Sequence, residues 1–534
     1  MFQETSSESK AGKNLANEAI RLIDLQIANL RESIRILNSQ RNSHLPISKL
    51  PVEILTKIFL LHQHNVSVET LSDWIRITHV SQRWREIALN FSGLWIHIPF
   101  HRLKWAKEMI TRSQHACPIV KANYTPSLYP SEAQLLKSFL QQHLSRVQVL
   151  DILCTNFQHV VKLFQDIQPT SVPCLSAFSL SVYWQKSETE PSAVLDSLQI
   201  VDSRLLNANL LRKLTVSITP RWDLNLFRGL THLKLGDGRN MPRTQTSQRE
   251  FLDALRRMPT LQSLHLDGPV LPEAVGKSSL EPVHLPNLRD LDVFDTVPTI
   301  EFFLHYVTFP PTTRTAIGCK YRDPLLRLAS ISPMLVPLKR LLSERPLALK
   351  HHRIEFMRFE DNNWELKFKG WVSGGCSPLK EYNPNLDGDF TFFVEWGSDQ
   401  MDTPSPIDEL SVGVFEIFPQ DDVVSLSLSS YDGTCFRHFA RQIGQLPALN
   451  ALHLGYISSA PFFLELDRGD PSIPTYPALH YLDLSNHQID IPSLTILYNC
   501  LKKRSELGLG PEKLKINLCD EGTTALLEKV VEVV

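Results

Sequence analysis

The sequence predicts an α/β chain in three parts. These are an N-terminal helix over residues 1–44, a small all-α unit over 45–100, and an array of strand-plus-helix repeats over 101–534 that turns irregular around 318–420. Three observations predict it: a heptad of apolar residues near the N-terminus, two helical stripes with surplus apolar residues, and a recurring LxxLxL pattern. A chain of 534 residues is too long for one ordinary core. Repeat arrays escape that limit because each unit packs only on its neighbours.

From Ala16 to Leu37 the residues Ala16, Ile20, Ile23, Ile27, Leu30, Ile34 and Leu37 alternate steps of four and three, with no Pro or Gly between them. That spacing is a heptad seam. It leaves two readings open, an amphipathic helix lying on the rest of the protein or a short coiled coil that makes a homodimer.

In ISKLPVEILTKIFLLHQ, Pro51 suits the first turn of a helix and Glu53 its positive end, with Leu55, Ile58 and Phe59 following at helical spacing. A second stripe carries Ile77, Val80, Trp84, Ile87 and Ala88. A unit of about 50 residues is small for a free-standing core, so part of its apolar surface is expected to meet a partner.

Beyond Trp95 the LxxLxL frame recurs as Leu211/Leu214/Val216, Leu230/Leu233/Leu235, Leu261/Leu264/Leu266 and Leu288/Leu291/Val293. It returns as Val423/Leu426/Leu428, Leu449/Leu452/Leu454 and Leu479/Leu482/Leu484. The steps between copies, about 19 to 31 residues, bracket the leucine-rich-repeat period. Each copy alternates apolar and polar residues like a strand with one buried face, and helical stretches such as SQREFLDALRRM lie between. The array is expected to be a curved solenoid. Within 318–420, WELKFKGW and FTFFVEWG read as strands of an irregular sheet insertion, through which the sequence does not show whether the solenoid continues.

In such strands the residues flanking the buried leucines point to the concave face. The frame selects Lys234, His265, Asp292, His453, Asp483 and Lys515 as exposed substrate-binding candidates, a mixed-sign set suited to a polar protein epitope.

Composition narrows the function. The 55 basic and 57 acidic residues give a formal net charge of −2, against the basic excess of a nucleic-acid partner, and the compact basic clusters are short, such as Lys502, Lys503 and Arg504. No run approaches the roughly 18 apolar residues of a membrane span, and MFQETSSESK lacks a secretory signal, so no membrane partner and a cytoplasmic or nuclear protein are expected. Eight cysteines are scattered singly, without CxxC pairs or zinc-finger spacing, and read as reduced and mostly buried. No catalytic constellation assembles. GLGPEK lacks the end of a phosphate loop, NPNLDGD places Val394 where a calcium loop needs its last carboxylate, and His351, His352 and Glu355 read as a solvated loop. No cofactor, metal or enzymatic activity is expected.

The segment ISKLPVEILTKIF…WIRITHVSQRWREIA…GLW resembles the F-box, whose core is LPxEIL followed by a V-x-x-x-W-R helix. Leu50, Pro51, Glu53, Ile54 and Leu55 match the first part, and Val80, Trp84 and Arg85 the second; Ser81 stands where the pattern most often has Cys. With the heptad helix before it and the repeats behind it, the order looks like that of the large F-box families of fungi. The resemblance implies a small all-α F-box followed by a leucine-rich-repeat-like α/β solenoid, acting as substrate receptor of an SCF-type (cullin–RING) ubiquitin ligase. By the same matching Leu50, Pro51, Ile54, Leu55, Ile58, Val80 and Trp84 are the set that contacts the Skp-type adaptor or builds the F-box core, while the repeats hold an unidentified protein substrate. A scaffold using the same modules without ubiquitination is the alternative.

Overall fold

The computed structural model describes residues 5–64, 72–182, 191–217, 221–236, 243–274, 280–321, 328–358, 363–372, 388–397, 405–430, 435–468, 474–485, 491–516 and 527–533. Two compact units emerge. One comprises Met1–Ala122 with Gln134–Leu136 and Arg146–Val149, and the other Asn123–Ala133, Lys137–Ser145 and Leu150–Val534.

The first unit is mostly helical. Helix α1 (Thr5–Ser43) is followed by α2 (Val52–His64), α3 (Ser72–Ile75), α4 (Gln82–Asn90) and α5 (Leu103–Ser113). Pro51 immediately precedes α2 instead of entering its first turn, and its carbonyl accepts the amides of Ile54 and Leu55. The core joins Leu55 and Phe59 of α2, Trp74 and Ile75 of α3, Ile87 and Ala88 of α4, and Met109 of α5. Trp74 meets Trp95 edge-on at 5.2 Å, and the Trp95 indole donates to the Ala88 carbonyl at 2.8 Å. Ser81, the departure from the usual cysteine, caps α4 by accepting the Trp84 amide at 3.2 Å, which satisfies one orphan donor of the first turn.

The second unit is a mixed α/β structure on one large, mostly parallel sheet. Its strands include β1 (Ala177–Val182), β2 (Lys213–Val216), β3 (His232–Leu235), β4 (Ser263–Asp267), β5 (Asp290–Thr296) and β6 (Arg314–Tyr321). They continue with β7 (His351–Arg358), β8 (Asn363–Trp371), β9 (Phe390–Gly397), β10 (Ser425–Ser430), β11 (Ala451–Gly455), β12 (Tyr481–Leu484) and β13 (Lys513–Ile516). Helices intervene, among them α6 (Gln248–Arg256), α7 (Val297–Tyr306), α8 (Leu328–Ser343) and α9 (Ser405–Phe415). The leucines of the recurring frame, Leu214, Leu233, Leu264, Leu291, Leu426, Leu452 and Leu482, all lie in the core.

The sheet runs unbroken through the irregular region, but its order reverses there. From β1 to β6 each strand lies parallel to the one before it. The strand beside β6 is β9, also parallel, followed by β8 antiparallel, then β7, and then β10 parallel to β7. The chain therefore leaves β6, takes the third place along, returns by two antiparallel pairings, and resumes at β10. The LxxLxL period fails here because neighbours in the sheet are no longer neighbours in sequence.

Candidate functional site

Two surfaces, one in each unit, carry the predicted residues. On the first, α2 is apolar on two faces. Leu55 and Phe59 point into the core, whereas Ile54, Ile58 and Leu61 stay exposed on a second stripe at i, i+4 and i+7. Pro51 and Val80 are also exposed, Val80 by 54% and Ile58 by 38%. Leu50 and Trp84 are half-buried against the core, with the Trp84 ring 5.0 Å from that of Phe59. The predicted set thus divides: Pro51, Ile54, Ile58 and Val80 face solvent, Leu55 is wholly internal, and Leu50 and Trp84 lie between. Arg83 holds the approach to α2 by donating to the carbonyls of Ser48 and, at 2.7 Å, Leu50. Sequence reasoning passed over Leu45, Ile47, Val52 and Leu61, all exposed aliphatics. The signal available for them was the second apolar stripe itself, since an all-round apolar short helix has more than one partner.

On the second surface, sheet register places all six substrate candidates in one row. Lys234, His265 and Asp292 are Cα partners across β3, β4 and β5, and His453, Asp483 and Lys515 across β11, β12 and β13. The row continues between them through Ala316, Thr391, Lys369, Arg353 and Ser427.

Exposure departs from the expectation, because neighbouring side chains across strands pair with one another. His265 and Asp292 meet at 2.7 Å. Asp483, expected on the open surface, is 2% exposed beneath His453 at 3.1 Å and Lys515 at 3.7 Å. Burial alone would raise the Asp483 carboxyl, but hydrogen bonds from His453 and Ser485 and the His453 charge bring it down to about 2. Tyr481 is pushed up to about 12 by burial and by the adjoining carboxylate. Asp483 is therefore an internal anchor for its neighbours.

The reversed segment adds residues that repeat counting could not find. One row further, Phe294, Gly318, Phe393, Lys367 and Glu355 are successive Cα partners. The Phe294 and Phe393 rings stack at 5.4 Å across Gly318, where a β-carbon would come within 2.1 Å of Phe393 Cζ, well inside contact distance. Lys367 caps the stack with its Nζ 5.2 Å from the Phe393 ring, and it also pairs with Glu365 at 2.8 Å. Glu355 joins Arg353 at 2.6 Å and Lys369 at 3.7 Å. The result is a ledge of aromatic rings inside a compensated charge network.

His351, His352 and Glu355 belong to β7 and not to a solvated loop. Burial lowers His352 to about 4, and its neutral ring donates to the Leu349 carbonyl. Arg504, counted in the basic cluster, is buried and donates to the carbonyls of Thr475, Tyr476 and Leu509. Among the described residues no group of three His, Cys, Asp or Glu could hold a metal ion, and no helix is long and apolar enough to cross a membrane. The NPNLDGD segment, apart from Gly388 and Asp389, lies outside the described residues, as do Cys376 and Cys519.

A family comparison bears on the first unit. Residues 47–101 match the F-box-like family model, so this segment is an F-box-like domain. No curated protein matches the chain.

Proposed function

We propose that the protein is the substrate-recognition subunit of an SCF-type ubiquitin ligase and is not itself an enzyme, working in the cytoplasm or nucleus. The F-box-like match over 47–101 carries this reading, and supports docking on a Skp-type adaptor in general. Pro51, Ile54, Ile58 and Val80 are the contact residues, because aliphatic groups left exposed on a small helical unit gain most from burial against a partner. Leu55 acts from beneath as core, while Leu50 and Trp84 brace the contact face.

The row from Lys234 to Lys515 holds the protein substrate. Lys234, His265, Asp292, His453 and Lys515 present polar groups, and Asp483 positions His453 and Lys515 from below. Co-purification with recombinant Skp-type adaptor and cullin tests the proposal. Wild type should retain both, and the variant Ile58→Asp with Val80→Asp should lose both while melting within about 0.5 kcal/mol of wild type. Retention of adaptor without cullin would instead make the protein a scaffold outside the ligase.

A further inference from the structure

Along α1, Ile20, Ile23, Ile27, Leu30, Ile34 and Leu37 each remain 40–64% exposed in the folded chain. Together they form an unbroken apolar seam about 26 Å long at 1.5 Å per residue. We propose that this seam pairs with the same seam of a second copy of the chain, as an antiparallel two-helix coiled coil.

Every core position of the seam is aliphatic, with Ile20, Ile27 and Ile34 at the a positions and Ile23, Leu30 and Leu37 at the d positions. Glu18, Arg21, Glu32 and Arg35 lie away from it, at the outer b and f positions. Glu32 and Arg35 pair at 2.6 Å on the opposite face, and Arg35 also donates to Gln82 of α4 at 3.2 Å, so the side of α1 that reaches its own chain is not the seam. The other exposed apolar residues, Leu22, Leu25 and Ile36, do not compete, because Asn29 and Glu32 interrupt their stripe.

Charge selects the orientation. The seam is flanked at its e positions by Asp24 and Arg31. In a parallel pair the g-to-e contacts join Ala19 with Asp24, Gln26 with Arg31 and Ser33 with Asn38, which leaves both charges without a partner. In the antiparallel pair Ile20 layers on Leu37, Ile23 on Ile34 and Ile27 on Leu30. Asp24 of each copy then lies against Arg31 of the other, and the ion pair forms twice. The two F-box-like segments would leave the coiled coil at opposite ends.

Light scattering on the full-length protein tests the pairing. Wild type should run at twice the 60.9 kDa chain mass at tens of micromolar. Ile27→Asp with Ile34→Asp should halve that mass, whereas Leu22→Asp with Ile36→Asp, off the seam, should leave it doubled. Circular dichroism on each variant reports whether α1 is still formed. Orientation is read by oxidative cross-linking. A mixture of Ile20→Cys and Leu37→Cys proteins should form the mixed disulfide, and Ile20→Cys alone, which the antiparallel register holds about 26 Å from its own counterpart, should cross-link no more than wild type. A monomeric wild type, or a dimer that survives the seam variant, overturns the pairing, and efficient cross-linking of Ile20→Cys to itself overturns the antiparallel arrangement.

Discussion

The side chain of Trp84 is both a brace for α4 and the floor of the exposed stripe, so truncating it differs in kind from altering the stripe. Trp84→Ala should lower the stability of the F-box-like unit by about 2 to 4 kcal/mol, somewhat under a fully buried aromatic because Trp84 is half-buried. Adaptor capture should fall with it, and a thermal melt without change would remove Trp84 from the core. Asp483 makes a pH prediction. Its folded carboxyl ionises below the ordinary 3.8, at about 2, so its contribution is complete above pH 4 and is lost as pH falls through that window toward 2. Asp483→Asn should therefore cost roughly 1 to 2 kcal/mol near pH 6, and the gap to wild type should narrow steadily below pH 4. Urea midpoints at both pH values decide it, and a constant gap would sink the assignment. The burial of Asp483 could not be read from alternation, which tells the face of the sheet but not the height of the neighbouring side chains. His453 and Lys515 are long enough to cover it, and that depends on register between strands about 30 residues apart.

At the scale of elements, the strands with LxxLxL were legible because one face must be buried leucine and the other polar, a constraint written into every second residue. Helices α2 and α4 were legible from the spacing of Leu55, Phe59, Ile87 and Ala88, all of which are core. The sequence also showed strands β8 and β9 but not their places in the sheet, since pairing order leaves no period behind. Gly318 illustrates what was hidden. Its residue type reads as a weak spot in a strand, yet it makes room for the ring of Phe393. Gly318→Ala should displace that ring from Phe294 and lower stability by about 1 to 3 kcal/mol, the range for overpacking. Pairing Gly318→Ala with Phe393→Leu should recover part of the loss. If the single variant melts like wild type, the stack contributes nothing.

For the molecule as a whole, the reversed order of β7, β8 and β9 governs how the second unit comes apart. An array of sequential neighbours can open from either end, one strand at a time. Here Phe392→Asp, a charge placed at a wholly buried position of β9, should expose amides in β4 to β6 and in β10 to β12 together, because β9 touches β6 directly and supports β7 through β8. Leu233→Asp in β3 should loosen β1 to β4 first. Hydrogen exchange by mass spectrometry distinguishes them, and protection of β5 and β6 in the Phe392→Asp protein would show that the two flanks are independent. The same arrangement bears on how the chain is made and how it can change over generations. When β6 emerges during synthesis its rightful neighbour lies about 75 residues further along, and β7 arrives earlier, so an open strand edge must wait past a plausible wrong partner. Gene duplication could add or remove strand-and-helix copies on either flank, where each copy brings its own neighbour. Between β6 and β10 the gain or loss of a single strand would leave another without its neighbour, so the number of strands in this stretch should hold while the flanks drift.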